Sequence, residues 1–352
     1  AFQIKVGAWM ADKAHYAYGN VLTWKHLTQA ERWRQSGNIR LLSDNKGTTW
    51  HSGAYGPETS EHVLGAWQIY EHTGDVEFLK DCYEGHFRKL FENGISGMEM
   101  NQFDVAAALI KMAELTGNES DVERWTKMVR SDAEHVRLMF DQRWEINDFK
   151  NYLSGPKDGM MTTNRMWAMR TPHMPREYAQ AIVDEWLLDK EKGFYGAWFP
   201  SAMSLQTQKI YTSQDDLAFG YTPDTAYFTL DGVFVQDIRD VASRLTVNHL
   251  ENYNYHDEWQ VPVAPEAYKR DQTLFGDQYS NFNAGKILLY LEGLAGLEYS
   301  LPENRLTVRP ALPESWDWME VRLPIKGQWT QIRYDSGKDP VITNSPLDVV
   351  VE

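Results

Sequence analysis

The chain has 352 residues, of which 42% are hydrophobic and 24% charged, a composition typical of a folded globular protein rather than a disordered one. Its net charge of −15 and the lack of a basic patch argue against a nucleic-acid partner. No run of about 18 apolar residues occurs, so we expect no membrane partner and a soluble protein, cytoplasmic, periplasmic or secreted. The single cysteine, Cys82, excludes an internal disulfide and a cysteine-based zinc site.

The N-terminal part of the chain predicts helices joined by tight turns. A first helix is predicted over residues 22–36, followed by a long loop at 37–58. Over 59–73, apolar residues recur at helical spacing: Val63, Ala66, Trp67 and Tyr70. Gly74 is expected to end this helix and Asp75 to cap the next one, whose apolar stripe is Val76, Leu79, Tyr83 and Phe87.

The same unit recurs about forty residues later. Apolar side chains again mark one helical face, at Val105, Leu109 and Met112. The turn Leu115-Thr116-Gly117 follows, and Ser120 is expected to open a helix that carries Val122, Trp125, Val129 and Val136. Two successive helical hairpins with similar turns predict a repeated αα unit.

The remainder predicts more helices and then a change to strands. Helices are expected at 158–170, 173–189, 224–252 with a break inside, and 280–298, with long loops at 191–223 and 253–279. From Leu306 the hydrophobic period becomes two, with prolines between the runs. We therefore predict a helical domain over 1–300 and a small antiparallel β region over 301–352 that packs on it.

The sequence lacks the motifs that usually indicate a bound cofactor. The sequence has no phosphate-binding loop, dinucleotide fingerprint, zincin or EF-hand motif, and no G-x-S-x-G nucleophile elbow. Its ten histidines are scattered, so we expect no metal site and no cofactor. Carboxylates, amides and aromatic rings remain, and the aromatic content of 13% suits the binding of sugar rings.

Two carboxylates are the candidates for acid–base chemistry. Glu99 lies between Met98 and Met100, where an apolar setting would raise its pKa and suit a general acid; the alternative is that it caps the helix that follows. Glu266 follows an extended entry fixed by two prolines, and Tyr268 could orient it. Its rivals in the same loop are Asp257, Glu258 and Asp277.

At these positions the chain resembles the (α/α)6-barrel glycosidases of the six-hairpin superfamily, near trehalases, processing α-glucosidases and mannosylglycerate-hydrolase-like enzymes. Those enzymes carry their acid in a Ser-Gly-(Met/Trp)-Asp segment, and Ser96-Gly97-Met98-Glu99 occupies that place with Glu instead of Asp. Their base is a Glu followed by an aromatic residue, which Glu266-Ala267-Tyr268 matches. Over about residues 50–300 the resemblance implies an (α/α)6 toroid, so we expect an all-α fold with the small C-terminal β appendix predicted above.

The resemblance also implies the function. It predicts an inverting glycosidase with Glu99 as acid and Glu266 as base, acting on a carbohydrate substrate. Candidate substrate-binding residues in the rim loops are the aromatic ones and a further carboxylate, namely Trp50, Tyr55, Trp198, Tyr227, Trp259 and Asp277.

Three other functions stay open at this point. A disaccharide phosphorylase would share the C-terminal pattern Pro310-Ala311-Leu312-Pro313-Glu314-Ser315-Trp316, and Lys269 with Arg270 could bind its phosphate. A polysaccharide lyase would abstract a proton with Tyr and His or Asn. A non-catalytic sugar-binding protein would keep the aromatic residues and lose a carboxylate.

Overall fold

The computed structural model of the chain describes residues 58–88, 91, 102–128, 134–135, 137–138, 169–194, 205, 223–252, 264–268, 274–279 and 288–352. The predicted helix at 22–36 lies outside these residues. Within them, no helix is both long enough and apolar enough to cross a membrane.

The first hairpin has the predicted turn. Helix α1 (Glu58–Thr73) ends at Gly74, whose φ of +65° is one that glycine adopts without steric cost. Helix α2 (Val76–Cys82) then continues into a π-helical turn, Tyr83–Phe87. The Asp75 side chain caps α2 by accepting the Phe78 N–H at 3.1 Å. The stripe prediction was wrong at Val76, which is 40% exposed, because its place at the start of the helix leaves Phe78 to fill the core.

The second hairpin repeats this design. Helices α3 (Gln102–Leu115) and α4 (Glu119–Met128) are joined at Gly117, which has a φ of +73°. The Asn118 N–H donates to the Ala113 carbonyl at 2.8 Å and closes the end of α3. Helix α3 packs on α1, and the apolar faces of the two hairpins form one buried cluster around Trp125.

A third hairpin occupies the predicted 224–252 segment. Helix α6 (Pro223–Val235) and helix α7 (Arg239–Asn252) are separated by Asp237, which takes the left-handed conformation at φ 55°. Before it in the chain, helix α5 (Arg176–Ile182) continues into a π-helical turn, Val183–Leu187, inside the predicted 173–189 helix.

Residues 253–279 were predicted as a loop, but the structure has a β-hairpin there. Strand β1 (Ala264–Tyr268) pairs antiparallel with strand β2 (Leu274–Tyr279). The predicted helix 280–298 also ends earlier than expected. A π-helical turn (Leu289–Leu294) is followed by strand β3 (Leu297–Ser300), which replaces the last residues of the predicted helix. Gly296 separates them at φ +61°, where a Cβ would lie 1.7 Å from the Arg309 carbonyl oxygen. Only glycine fits this crossing.

The C-terminal strands form two three-stranded sheets. Their further members are β4 (Arg305–Val308), β5 (Trp318–Ile325), β6 (Gln328–Asp335), β7 (Val341–Thr343) and β8 (Asp348–Val351). One sheet has the order β5–β6–β7 and is antiparallel. The other has the order β3–β4–β8, and its β4–β8 pair is parallel, which differs from the expected antiparallel region.

Strands and helices share one buried core. The larger cluster of buried side chains includes residues of α5, α6 and α7 together with residues of strands β3 to β6. The Tyr334 hydroxyl donates to the Ala295 carbonyl at 2.7 Å, and the Leu301 N–H donates to the Glu71 carbonyl of α1 at 2.7 Å. These contacts hold the β region against the helices and create a cleft between them.

Candidate functional site

A cleft of about 390 Å³ lies where the helices meet the C-terminal strands. Helix α1 lines it with one face, from Leu64 through Trp67 to Glu71, and α6 lines it with Asp231 and Phe234. Glu292 of the π-helical turn Leu289–Leu294 and residues of β3 and β4 also line the cleft. We call this site the acidic cleft, because carboxylates dominate its charged groups: Glu71, Asp104, Asp231, Glu292 and Glu298.

Glu71 is the carboxylate with the most perturbed environment. It sits in the last turn of α1, half-buried, and burial raises its pKa to about 7. Repulsion from Glu298 raises the pKa further, whereas Lys111 and a hydrogen bond from Trp67 oppose the rise. Near neutral pH this carboxyl can therefore both hold and release a proton.

The ring of Trp67 lies one turn before Glu71 on the same helix. Its ring centroid is 5.3 Å from that of Tyr70, and the Lys111 ammonium lies 5.0 Å from it. Gln68, the residue after Trp67, donates a hydrogen bond to Glu292 Oε1 at 3.3 Å. An aromatic ring beside hydrogen-bonding amide and carboxyl groups can bind a polyhydroxylated ligand.

The arginines of the acidic cleft have other partners. Arg170 Nε lies 2.9 Å from Asp231 Oδ2, and both side chains are only 14% exposed. Arg239 donates to the Gly293 carbonyl at 3.3 Å and to the Arg309 carbonyl, and burial together with the nearby Arg309 charge lowers its pKa. Neither guanidinium is among the groups that shift the pKa of Glu71.

The predicted acid, Glu99, lies outside the described residues, as do Met98 and Met100. The chain resumes in the described part at α3, three residues after Glu99. Asp104, in the first turn of α3, lines the acidic cleft, and its Oδ1 lies 3.7 Å from His173 Nε2. In the sequence, the segment that carries Glu99 immediately precedes this helix.

The predicted base, Glu266, lies on β1 at an irregularity of the β-hairpin. Pro265 pairs with Gln278 and Ala267 with Phe275, so Glu266 is opposed by two residues, Gly276 and Asp277. The backbone register thus places Glu266 opposite the position of Asp277, its rival in the sequence analysis. Bulges of this kind are common beside active sites, and β1 also contacts α6 of the acidic cleft.

The predicted sugar-binding aromatic residues are only partly accounted for. Trp50, Tyr55, Trp198 and Trp259 lie outside the described residues. Tyr227, on α6, is 1% exposed and belongs to the larger core cluster. The ring therefore packs in the core in this structure, which differs from the expected stacking role.

The sequence analysis missed Glu71 as a functional candidate. One signal was available, because Glu71 follows Trp67 by one helical turn and so borders the apolar face of α1. Within the described ranges, no group of three or more His, Cys, Asp or Glu side chains could hold a metal ion.

Comparison with known proteins adds little to this geometry. No protein-family model matches the chain, and no curated protein matches it. Among solved structures, the GH78 family rhamnosidase of Bacillus sp. GL1 is similar at a TM-score of 0.48 and 12% identity. The similarity covers 84% of this chain and 33% of the rhamnosidase chain, so the protein spans about a third of that length. A similarity this low assigns neither a family nor an activity.

Proposed function

We propose that this protein is a glycoside hydrolase of the (α/α)6 type that cleaves a glycosidic bond with inversion. Glu99 is the general acid and Glu266 the general base in this proposal. The three helical hairpins and the Ser96-Gly97-Met98-Glu99 segment directly before one of them support it.

One observation carries the proposal. The segments that hold the two carboxylates adjoin two helices that line the same acidic cleft. The Glu99 segment leads into α3, which contributes Asp104, and the strand of Glu266 contacts α6, which contributes Asp231. This arrangement supports a shared substrate site between them.

The chemistry assigns one proton transfer to each group. Glu99 donates its proton to the glycosidic oxygen as the bond from that oxygen to the anomeric carbon breaks. Glu266 accepts a proton from a water molecule whose oxygen bonds to the opposite face of the same carbon. Inversion requires the two carboxyl groups to lie about 6.5–9.5 Å apart, so that the water fits between them.

The experiment compares Glu99→Gln and Glu266→Gln on disaccharides and on aryl glycosides, each with and without phosphate. The Glu266 variant should lose at least about 10²-fold in kcat on every substrate, the lower range for a general base. The Glu99 variant should lose as much on disaccharides, yet stay active on aryl glycosides with acidic leaving groups, which need little protonation. Azide should rescue the Glu266 variant and give a glycosyl azide of inverted configuration.

Glu314→Gln is the matched control, because this glutamate is exposed and removal of its charge should leave kcat unchanged. Wild-type turnover in both Glu99 and Glu266 variants would overturn the mechanism. If Glu71→Gln instead showed the leaving-group dependence, the acid would be Glu71. Strict dependence on phosphate, with a sugar phosphate as product, would make the protein a phosphorylase.

A further inference from the structure

The outer surface of the sheet β5–β6–β7 exposes two tryptophans. Trp318 is 54% exposed and Trp329 is 61% exposed, although tryptophan is usually well buried. Both project from the same side of the sheet, because Trp329 pairs directly with Pro324, and Pro324 is six residues from Trp318 on one strand. The opposite side is core, with buried residues alternating along both strands: Met319, Val321, Leu323, Ile325, Thr330, Ile332 and Tyr334.

Polar side chains cover the sheet between the two rings. Glu320 accepts hydrogen bonds from Gln331 Nε2 at 2.9 Å and from Arg322 Nε at 3.0 Å. Arg333 lies 3.9 Å from the Trp318 ring centroid and bonds Asp335 Oδ1 at 3.0 Å. Each arginine therefore has an acidic partner on the same side of the sheet, and the surface carries hydrogen-bonding groups without net charge.

We propose that this surface binds an uncharged polysaccharide chain, apart from the acidic cleft. We call it the tryptophan face, defined by Trp318, Glu320, Arg322, Pro324, Trp329, Gln331, Arg333 and Asp335. Sugar rings stack their C–H faces on Trp318 and on Trp329, while hydroxyl groups bond the polar side chains between them. Six residues of strand separate the two rings by about 20 Å, so a chain of several sugar units reaches both and a monosaccharide reaches one.

The size and charge of the tryptophan face favour this occupant over others. Three strands wide and about 20 Å long, it covers roughly 300 Å², well below the ~800 Å² per partner of a stable protein interface. Its apolar parts are the two tryptophan rings, Pro324 and the exposed Val341 of β7, and ion pairs lie between the two rings, which makes it a poor dimer surface. A neutral face on a protein of charge −15 also gives no attraction for an anionic polymer.

Affinity electrophoresis tests the proposal in gels that contain galactomannan, arabinoxylan, hydroxyethylcellulose or glycogen, with polygalacturonate as the anionic polymer. The intact chain should be retarded by at least one neutral polymer. Trp318→Ala and Trp329→Ala should each weaken that binding about five- to thirtyfold, as the loss of a central aromatic contact does, and the double variant should abolish it. Trp329→Phe should retain part of it.

Val350→Ala is the matched control, because it removes an exposed apolar side chain from the other sheet and should leave retardation unchanged. Circular dichroism of each variant verifies folding. The proposal is wrong if no neutral polymer retards the protein, if the double variant is retarded like wild type, or if polygalacturonate binds best. A dimer in sedimentation that the double variant dissociates would also overturn it. The assay needs no turnover, so it can succeed or fail independently of the Glu99 and Glu266 variants.

Discussion

Replacement of Glu71 by Gln should make the protein more stable at alkaline pH. In the folded chain the pKa of Glu71 is about 7, compared with an ordinary value of 4.5, chiefly because the carboxyl is buried and faces Glu298. The folded state therefore binds this proton more tightly than the unfolded state between pH 4.5 and 7. The stabilisation is complete below pH 4.5, and it is lost as the pH rises through 7.

The magnitude follows from the size of the rise. At about 1.36 kcal/mol per pH unit, an ionised Glu71 costs the fold about 3 kcal/mol above pH 7. Gln resembles the protonated acid in shape and cannot ionise, so Glu71→Gln should change stability little at pH 5. At pH 9 it should raise the free energy of unfolding by up to about 3 kcal/mol.

Urea unfolding at pH 5, 7 and 9 measures this difference between the variant and wild type. Glu314→Gln is the control, since it removes one negative charge from the same −15 protein at an exposed position. It reports how much of the effect comes from net charge alone. If the Glu71→Gln difference stayed constant across this range, or equalled that of the control, the burial argument would fail.

Two further predictions concern stability. Gly296→Ala should lower the free energy of unfolding by at least about 3 kcal/mol, because the strain of a left-handed alanine adds to a clash with the backbone. Gly117→Ala has open space around the new Cβ and should lower it by only about 1–2 kcal/mol. Thermal unfolding of both variants measures the difference. Tyr83→Phe should cost about 2–3 kcal/mol by urea unfolding. Its hydroxyl accepts from Trp125 Nε1 at 2.8 Å and donates to the buried Asp121 at 3.0 Å. A Tyr83→Phe midpoint equal to wild type would refute that network.

The hairpins could be predicted because their signals are local. Gly74 and Gly117 mark left-handed turns that any sequence window reveals, and the apolar spacing on either side fixes the helices. The third hairpin was harder to divide, because Asp237 takes the same conformation without the glycine signal. The break in the 224–252 segment could therefore be expected but not assigned to a residue.

The β-hairpin and the burial of Glu71 could not be predicted, because neither has a local sequence signal. Strand β1 contains Pro265 and shows no alternation of apolar and polar residues, so it is recognisable only beside β2. The burial of Glu71 and its repulsion by Glu298 arise where α1 meets β3, more than 220 residues along the chain. Sequence periodicity carries no information on such a contact.

The place of Glu71 in its hairpin is one reason why the proposal assigns the catalytic roles to Glu99 and Glu266 rather than to Glu71. In a helical hairpin, the segments before the first helix and after the second both lie at the end opposite the tight turn. In the sequence, Glu99 comes three residues before α3 and Glu266 fourteen residues after α7, so neither belongs to the tight turn of a hairpin. Glu71 lies three residues before Gly74, at the closed end of the first hairpin. We therefore expect Glu71→Gln to change the pH dependence of stability without reproducing the leaving-group dependence of Glu99→Gln.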